Sequence, residues 1–266
     1  MRRLSLPLWL ISAFLFVFMY APIVVVIIFS FNSARHGGPW MGFTTQWYGR
    51  LLDSPDKISA TKNTIVLAVV STVVATGLGT MLGYGLSRYW FPGKKLFSLM
   101  MYIPVVIPDI VMAVAMLAFF KLISDLLQWF TMGLVTMMIA HITFQIPFVA
   151  IVVRSRLAGM DPSIEEAAHD LGASTWQTFW SVTFPLMVPG VLAGGMLAFT
   201  LSLDDFVVSF FTTGVGATTL PILIYSSVKR GITPDINALS TVIVLASVVG
   251  TIGVAALQRP RQPSGG

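Results

Sequence analysis

The chain has 266 residues, 56% of them hydrophobic and only 10% charged, against about 45–50% and about 25% in an ordinary soluble domain, so this composition belongs in lipid. The formal charge of +5 does not mark a nucleic-acid binder, because the Lys and Arg stand at the ends of apolar runs, as membrane anchors do, and form no continuous stripe. With no cysteine in the chain, disulfides, thiolate metal sites and cysteine nucleophiles are excluded.

About 20 apolar residues cross the ~30 Å hydrocarbon core as a helix. Six runs meet that length: Leu8–Phe31, Thr64–Leu86, Phe97–Ile123, Met132–Val153, Val188–Phe211 and Ile236–Leu257. The first follows Arg2-Arg3 but exceeds the roughly 7–15 apolar residues of a secretory signal, and no small-x-small cleavage site follows, so it is expected to stay as a helix. The stretch Asn32 to Lys62 carries Trp40, Phe43, Trp47 and Tyr48; anchoring at the lipid interface and contact with a docking protein both fit.

In the second run, Gly77-x-Gly79 and Gly83-x-Gly85 predict close helix packing, as do Gly190 and Gly194-Gly195 in the fifth. Between runs, Gly93-Lys94-Lys95 lacks the preceding glycine and the following hydroxyl of a phosphate loop. The third run has Pro104 and Pro108 just before Asp109, which predicts a kink whose freed carbonyls face protein or water. At about 1.5 Å per residue, a continuous helix places Asp109 about 18 Å from Phe97. In the fourth run His141 and Gln145 share a face and are expected to bond across helices. His36, His141 and His169 lie on separate segments without paired ligand spacing, so no metal is expected.

Residues 154–187 form a polar island. Asp161 before Pro162 is a good helix start, and Ser163 with Glu166 offers a competing capping box. Either opens a short helix containing Glu165, Glu166, Ala167, Ala168 and His169, its acids near the positive end of the dipole and Gly172 its left-handed stop. Ser174 and Gln177 make a second box, opening a helix with Trp176, Phe179, Trp180 and Thr183 near one face and Pro185 at its end. A simple connector needs about 2–8 residues. Thirty ordered residues with tryptophans and an Ala-Ala patch instead suggest docking of a soluble partner, while the acids argue against a DNA reader.

Glu166-Ala167-Ala168, three residues, Gly172, nine more and Val182-x-Phe184-Pro185 resemble the EAA signature of permease subunits of binding-protein-dependent ABC importers; the usual ending is Ile-x-Leu-Pro, so two positions depart conservatively. Ser202-Leu-Asp204-Asp205-Phe-Val-Val-Ser209, Thr218-Thr-Leu-Pro221 and Pro234-Asp-Ile-Asn-Ala-Leu239 are similar to the spermidine/putrescine branch of that family. The resemblance implies an all-α membrane protein of six transmembrane helices, one permease domain over 1–258 with a coupling loop at 154–187; the Pro- and Gly-rich composition of 259–266 predicts a flexible tail. It also implies that Glu165, Glu166, Ala167, Ala168, Asp170, Gly172, Trp176 and Pro185 form the contact with an ATPase. Partners would be a second permease, two ATPase subunits holding ATP and Mg, and an extracytoplasmic solute-binding protein. The chain itself would be no enzyme and hold no cofactor.

Basic residues at 2, 3, 88, 94, 95, 154, 156, 259 and 261 favour a cytoplasmic hairpin and cytoplasmic termini, and the resemblance implies a bacterial inner membrane. Asp109, Asp204 and Asp205 are costly in a bilayer, about 2.5–3.5 kcal/mol each near its centre, and are the candidate contacts for a polyamine's ammonium groups. Neighbours on a helix point about 100° apart, so Asp204 and Asp205 are not expected to face one lumen; Asp204 is the favoured contact, with bonding inside the bundle as the alternative for each. Two other functions stand open: import of another amine or an amino acid, and an ion-gradient-driven carrier using the aspartates as relays.

Overall fold

The computed structural model describes residues 6–34, 38–231 and 233–257. The expectations for the tail 259–266, for His36 and for Arg2 and Arg3 lie outside these residues. The chain divides into two compact units, one of residues 1–58 with 224–266 and one of residues 59–223. Among the described residues the structure is helical, with no strand and one isolated antiparallel bridge, Asn32 to Phe43.

In the first unit, α1 (Leu6–Phe29) has no charged residue and leaves most of its large apolar side chains exposed, the surface a bilayer solvates. It packs on α12 (Pro234–Leu257), which also meets the short α2 (Gln46–Leu52). The intervening loop builds its own core around Asn32. Its Oδ1 accepts from the Met41 amide at 2.9 Å, and its carbonyl accepts the buried Trp47 indole N–H at 2.7 Å. Tyr48 Oη lies 2.7 Å from Ser30 Oγ, whereas Trp40 and Phe43 stay exposed. Trp47 and Tyr48 are thus committed to folding the loop itself.

In the second unit, α3 (Pro55–Arg88) begins well before Thr64, because Pro55 and Asp56 open it in the positions that favour a helix start. The third apolar run is not one kinked helix. It breaks into α4 (Lys94–Val106) and α5 (Asp109–Leu126), bent by 106°. Ile107 is extended, φ −71° and ψ 135°, as expected for the residue before a proline. Two helices at that angle do not add their rises, so the 18 Å depth expected for Asp109 does not hold.

Next come α6 (Leu134–Ala158), the hairpin helices α7 (Ser163–Asp170) and α8 (Thr175–Thr178), a π-helical turn at Phe179–Thr183 and α9 (Phe184–Asp204). Pro185 does not end the helix; the run Thr175–Asp204 is continuous and long enough to span. The Phe184 amide donates to the Phe179 carbonyl, five residues back, and this widened turn absorbs the donor that Pro185 lacks. The expected fifth span also stops early: α9 ends at Asp204, and α10 (Val207–Thr212) starts a new helix before α11 (Leu220–Arg230).

The core of this unit lies where α6 meets α9, with Val149, Val153, Leu157, Met187 and Ala198 buried together. Small residues permit the close approach of α3 and of α9 to α6. A Cβ on Gly79 would stand 2.7 Å from Val149 Cβ, on Gly83 2.8 Å from the Ala150 carbonyl, on Gly190 2.7 Å from Arg156 Cβ and on Gly194 3.2 Å from Val149 Cγ1. Gly77 and Gly85 face open space and do not share this role. Among the described residues four helices are long and apolar enough to cross a membrane, a fifth if α4 and α5 make one span; the apolar part of α12, Pro234–Val249, is shorter.

Candidate functional site

The hairpin folds as its local signals dictate. Asp161 Oδ1 accepts from the Ser163 amide at 3.0 Å, which opens α7 and holds this carboxyl below its usual range. The competing Ser163–Glu166 box is not made. At the other end Gly172 has φ +86°, the Ala173 amide donates to the Ala168 carbonyl at 3.1 Å, and the Gly172 amide donates to that of His169 at 2.9 Å. These two bonds define a Schellman stop. Ser174 and Gln177 then cap each other: Gln177 Oε1 accepts the Ser174 amide at 2.9 Å, and Ser174 Oγ accepts the Gln177 amide at 3.3 Å.

Two faces result. Glu166, Ala167, Asp170 and Pro185 are exposed, as are Leu171 at 90% and Trp176 at 70%, giving the hairpin an apolar tip rimmed by acids. Ala168 is half-buried. Trp176, Phe179, Trp180 and Phe184 form one ring cluster, with Trp180 and Phe184 centroids 5.0 Å apart. Thr183 turns to the inner face.

Glu165 belongs to that inner face also. Its Oε1 receives Arg88 Nη2 from the end of α3 at 2.9 Å and the Thr183 hydroxyl at 2.8 Å. It is therefore an anchor of the hairpin to the bundle, while Glu166 is exposed. Below it, Arg156 Nε donates to the Leu186 carbonyl at 3.0 Å, joining α6 to the root of α9. Arg88 and Thr183 carry no motif of their own, so only the fold brings them to Glu165.

The three acids of the apolar runs fare differently. Asp109 is the first residue of α5, exposed beside the 106° break and near the positive end of the helix dipole. Asp204 closes α9 and is exposed. Asp205 turns inward and caps α10, Oδ1 accepting from the Val208 amide at 3.2 Å and Oδ2 from the Ser209 amide at 2.7 Å. His141 Nε2 lies 3.3 Å from the same Oδ2. Of the two neighbours, Asp205 is the one consumed within the bundle.

His141 and Gln145 do bond across helices, through a buried chain. Gln145 Nε2 donates to Ser71 Oγ at 3.2 Å; Ser71 Oγ lies 3.3 Å from Ser202 Oγ; and Ser202 Oγ lies 2.8 Å from His141 Nδ1. His141 Nε2 meets Ser209 Oγ at 3.0 Å as well as Asp205. One arrangement lets every link run the same way, from the Gln145 amide through both hydroxyls to Nδ1, with the Nε2 proton directed at the carboxylate. In a medium of low dielectric such aligned bonds strengthen one another. Ser202 and Ser209, three residues before and four after Asp205, bound the motif quoted above, but nothing in the sequence assigns them, or Ser71, to this chain of bonds.

The family of binding-protein-dependent transport system inner membrane components matches residues 75–260. The chain belongs to that family. It is 40% identical over 252 residues to the spermidine/putrescine transport system permease protein PotC of Shigella flexneri, covering 95% of this chain and 94% of the relative. To the putrescine transport system permease protein PotI of Escherichia coli K12 it is 42% identical over 243 residues, 91% of this chain and 86% of that one. In fold it is similar to a chain of a bacterial ABC transporter involved in import of the polysaccharide alginate, with TM-score 0.74 at 20% identity and 96% of each chain covered. The MetNI methionine ABC transporter gives TM-score 0.61 at 21% identity, covering 80% of this chain and 95% of that one. The all-α permease fold expected from the hairpin motif is therefore the fold observed, and the relatives are transport permeases, not enzymes.

Proposed function

We propose that this chain is one of two membrane-spanning subunits of an ATP-driven importer that carries a polyamine, putrescine or spermidine, into the cytoplasm. The polyamine class is supported by the names of the relatives, whose identity runs over nearly the whole chain. ATP and Mg sit on two partner ATPase subunits, a second permease completes the pathway, and a solute-binding protein delivers cargo from outside. The hairpin and both termini face the cytoplasm, in keeping with the basic residues at 88, 94, 95, 154 and 156. Residues 1–258 act as one permease domain.

The observation that carries this reading is the hairpin, exposed at its tip through Leu171 and Trp176 and bolted at its base through Glu165 to α3 and to the π turn below α9. A push on the tip reaches two spanning helices at once. Closure of the ATPases moves Glu166, Ala167, Ala168, Asp170, Gly172, Trp176 and Pro185 as a lever, and the bundle changes the side to which its pathway opens. Along that pathway Asp109 and Asp204 replace the water stripped from ammonium groups. Asp205, bonded to the α10 amides, holds the link that follows Asp204.

Uptake of labelled putrescine and spermidine by proteoliposomes holding the full complex tests the cargo. ATP-dependent accumulation of either, unaffected by collapse of the proton gradient, is the expected result. Accumulation of an amino acid instead, or loss of uptake when the gradient collapses with ATP maintained, would overturn it.

A further inference from the structure

Between the last residue of α9 and the first of α10 only Asp205 and Phe206 intervene, and Asp205 is extended, φ −64° and ψ 121°. A two-residue link fixes no angle between helices by itself. One side chain spans it: the buried His141 ring touches Ser202 on α9 through Nδ1, and Ser209 and Asp205 on the α10 side through Nε2. The ring stands on α6, the helix packed against α9 and α10 alike. On its far side the chain continues through Ser71 on α3 to Gln145, also buried, so the ring's own position is held.

We infer that His141 is a positioning residue: its imidazole clamps the break between α9 and α10, and so sets the direction in which Asp204 is presented. The clamp sorts two neighbouring acids into two tasks. Asp205 spends both oxygens on the α10 amides and the ring, and Asp204, one residue earlier, is left exposed. A neutral imidazole suits this, since its two nitrogens offer one acceptor to the Ser202 hydroxyl and one donor to the carboxylate. The consequence for uptake rests on the proposed role of Asp204 with cargo; the positioning itself does not.

Because the chain has no cysteine, Asp204→Cys places a single thiol on it, and a cationic methanethiosulfonate reads how that position is presented, whatever the cargo is. In the full complex, His141→Leu is expected to slow modification by about tenfold, the equilibrium weight of a lost hydrogen bond, and His141→Gln, which keeps a donor and an acceptor, to restore it to within about twofold. Ser202→Ala and Ser209→Ala keep the ring and remove one contact each, so each is expected to slow modification by about threefold or more even where His141→Leu fails to assemble. Rates in the two serine variants within about twofold of the parent would overturn the inference, as would a His141→Gln rate equal to that of His141→Leu. Unchanged putrescine uptake in Asp204→Asn would count against the cargo reading alone.

Discussion

Arg88 Nη2 meets Glu165 Oε1 at 2.9 Å, binding the last residue of the 34-residue α3 to the first turn of α7. Both side chains are 21% exposed, so solvent screens the pair and its worth to folding is about 1 kcal/mol or less. In the proposed coupling its value lies in transmission. Arg88→Ala and Glu165→Ala are each expected to lower cargo moved per ATP hydrolysed while the complex still assembles, and the double variant to be no worse than the poorer single one. Parallel assays of uptake and hydrolysis check this.

Gly172 holds φ +86° with nothing on this chain within 4 Å of where a Cβ would be, so within the hairpin its replacement acts through backbone geometry. Gly172→Ala is expected to cost the hairpin about 1 kcal/mol, and Gly172→Asn less, since Asn tolerates the left-handed region. Coupled hydrolysis should follow that order. A bulky β-branched residue such as Val should uncouple most strongly, and Glu166→Lys should uncouple by charge at the exposed tip without changing the melting temperature.

The α3 glycines supply an internal comparison. Gly79→Ala and Gly83→Ala put a methyl within 3 Å of backbone atoms of α6 and are expected to destabilise by about 1–3 kcal/mol. Gly77→Ala and Gly85→Ala meet nothing and should be neutral or stabilising by up to about 1 kcal/mol through helix propensity. Thermal unfolding of the four variants in detergent gives the ranking.

Neutralising the two adjacent acids should have opposite signatures. Asp204→Asn is expected to weaken polyamine uptake severalfold and leave folding unchanged, because its side chain is exposed. Asp205→Asn turns an amide NH2 toward either a backbone donor or His141 and should cost about 1.5–3 kcal/mol, the range for hydrogen bonds to a charged group. Uptake kinetics beside melting curves separate the two.

The contrast between these neighbours shows what a sequence can and cannot disclose. Caps are local: Asp161, Gly172, Ser174 and Gln177 act on amides within a few residues, and the hairpin they imply is the hairpin that forms. The break at Pro108 was half legible, because a proline signals a bend but not its 106° size, which packing sets. Asp205 was less so. Whether its carboxylate faced cargo or bundle depended on His141, 64 positions away in the chain, and on a helix end that no glycine or proline announces. Pro185 misled for the same reason in reverse, since the π turn that accommodates it depends on how Phe179 to Thr183 pack.

Leu171, 90% exposed at the hairpin tip, is the most direct probe of the lever. With Leu171→Cys as the only thiol on this chain, a heterobifunctional thiol-to-amine cross-linker added to the purified complex should capture the nucleotide-hydrolysing subunit through its lysines, with a yield that changes when ATP binds. Modification of that cysteine in intact cells by a membrane-impermeant reagent added outside, with no cross-link to the hydrolase, would contradict it.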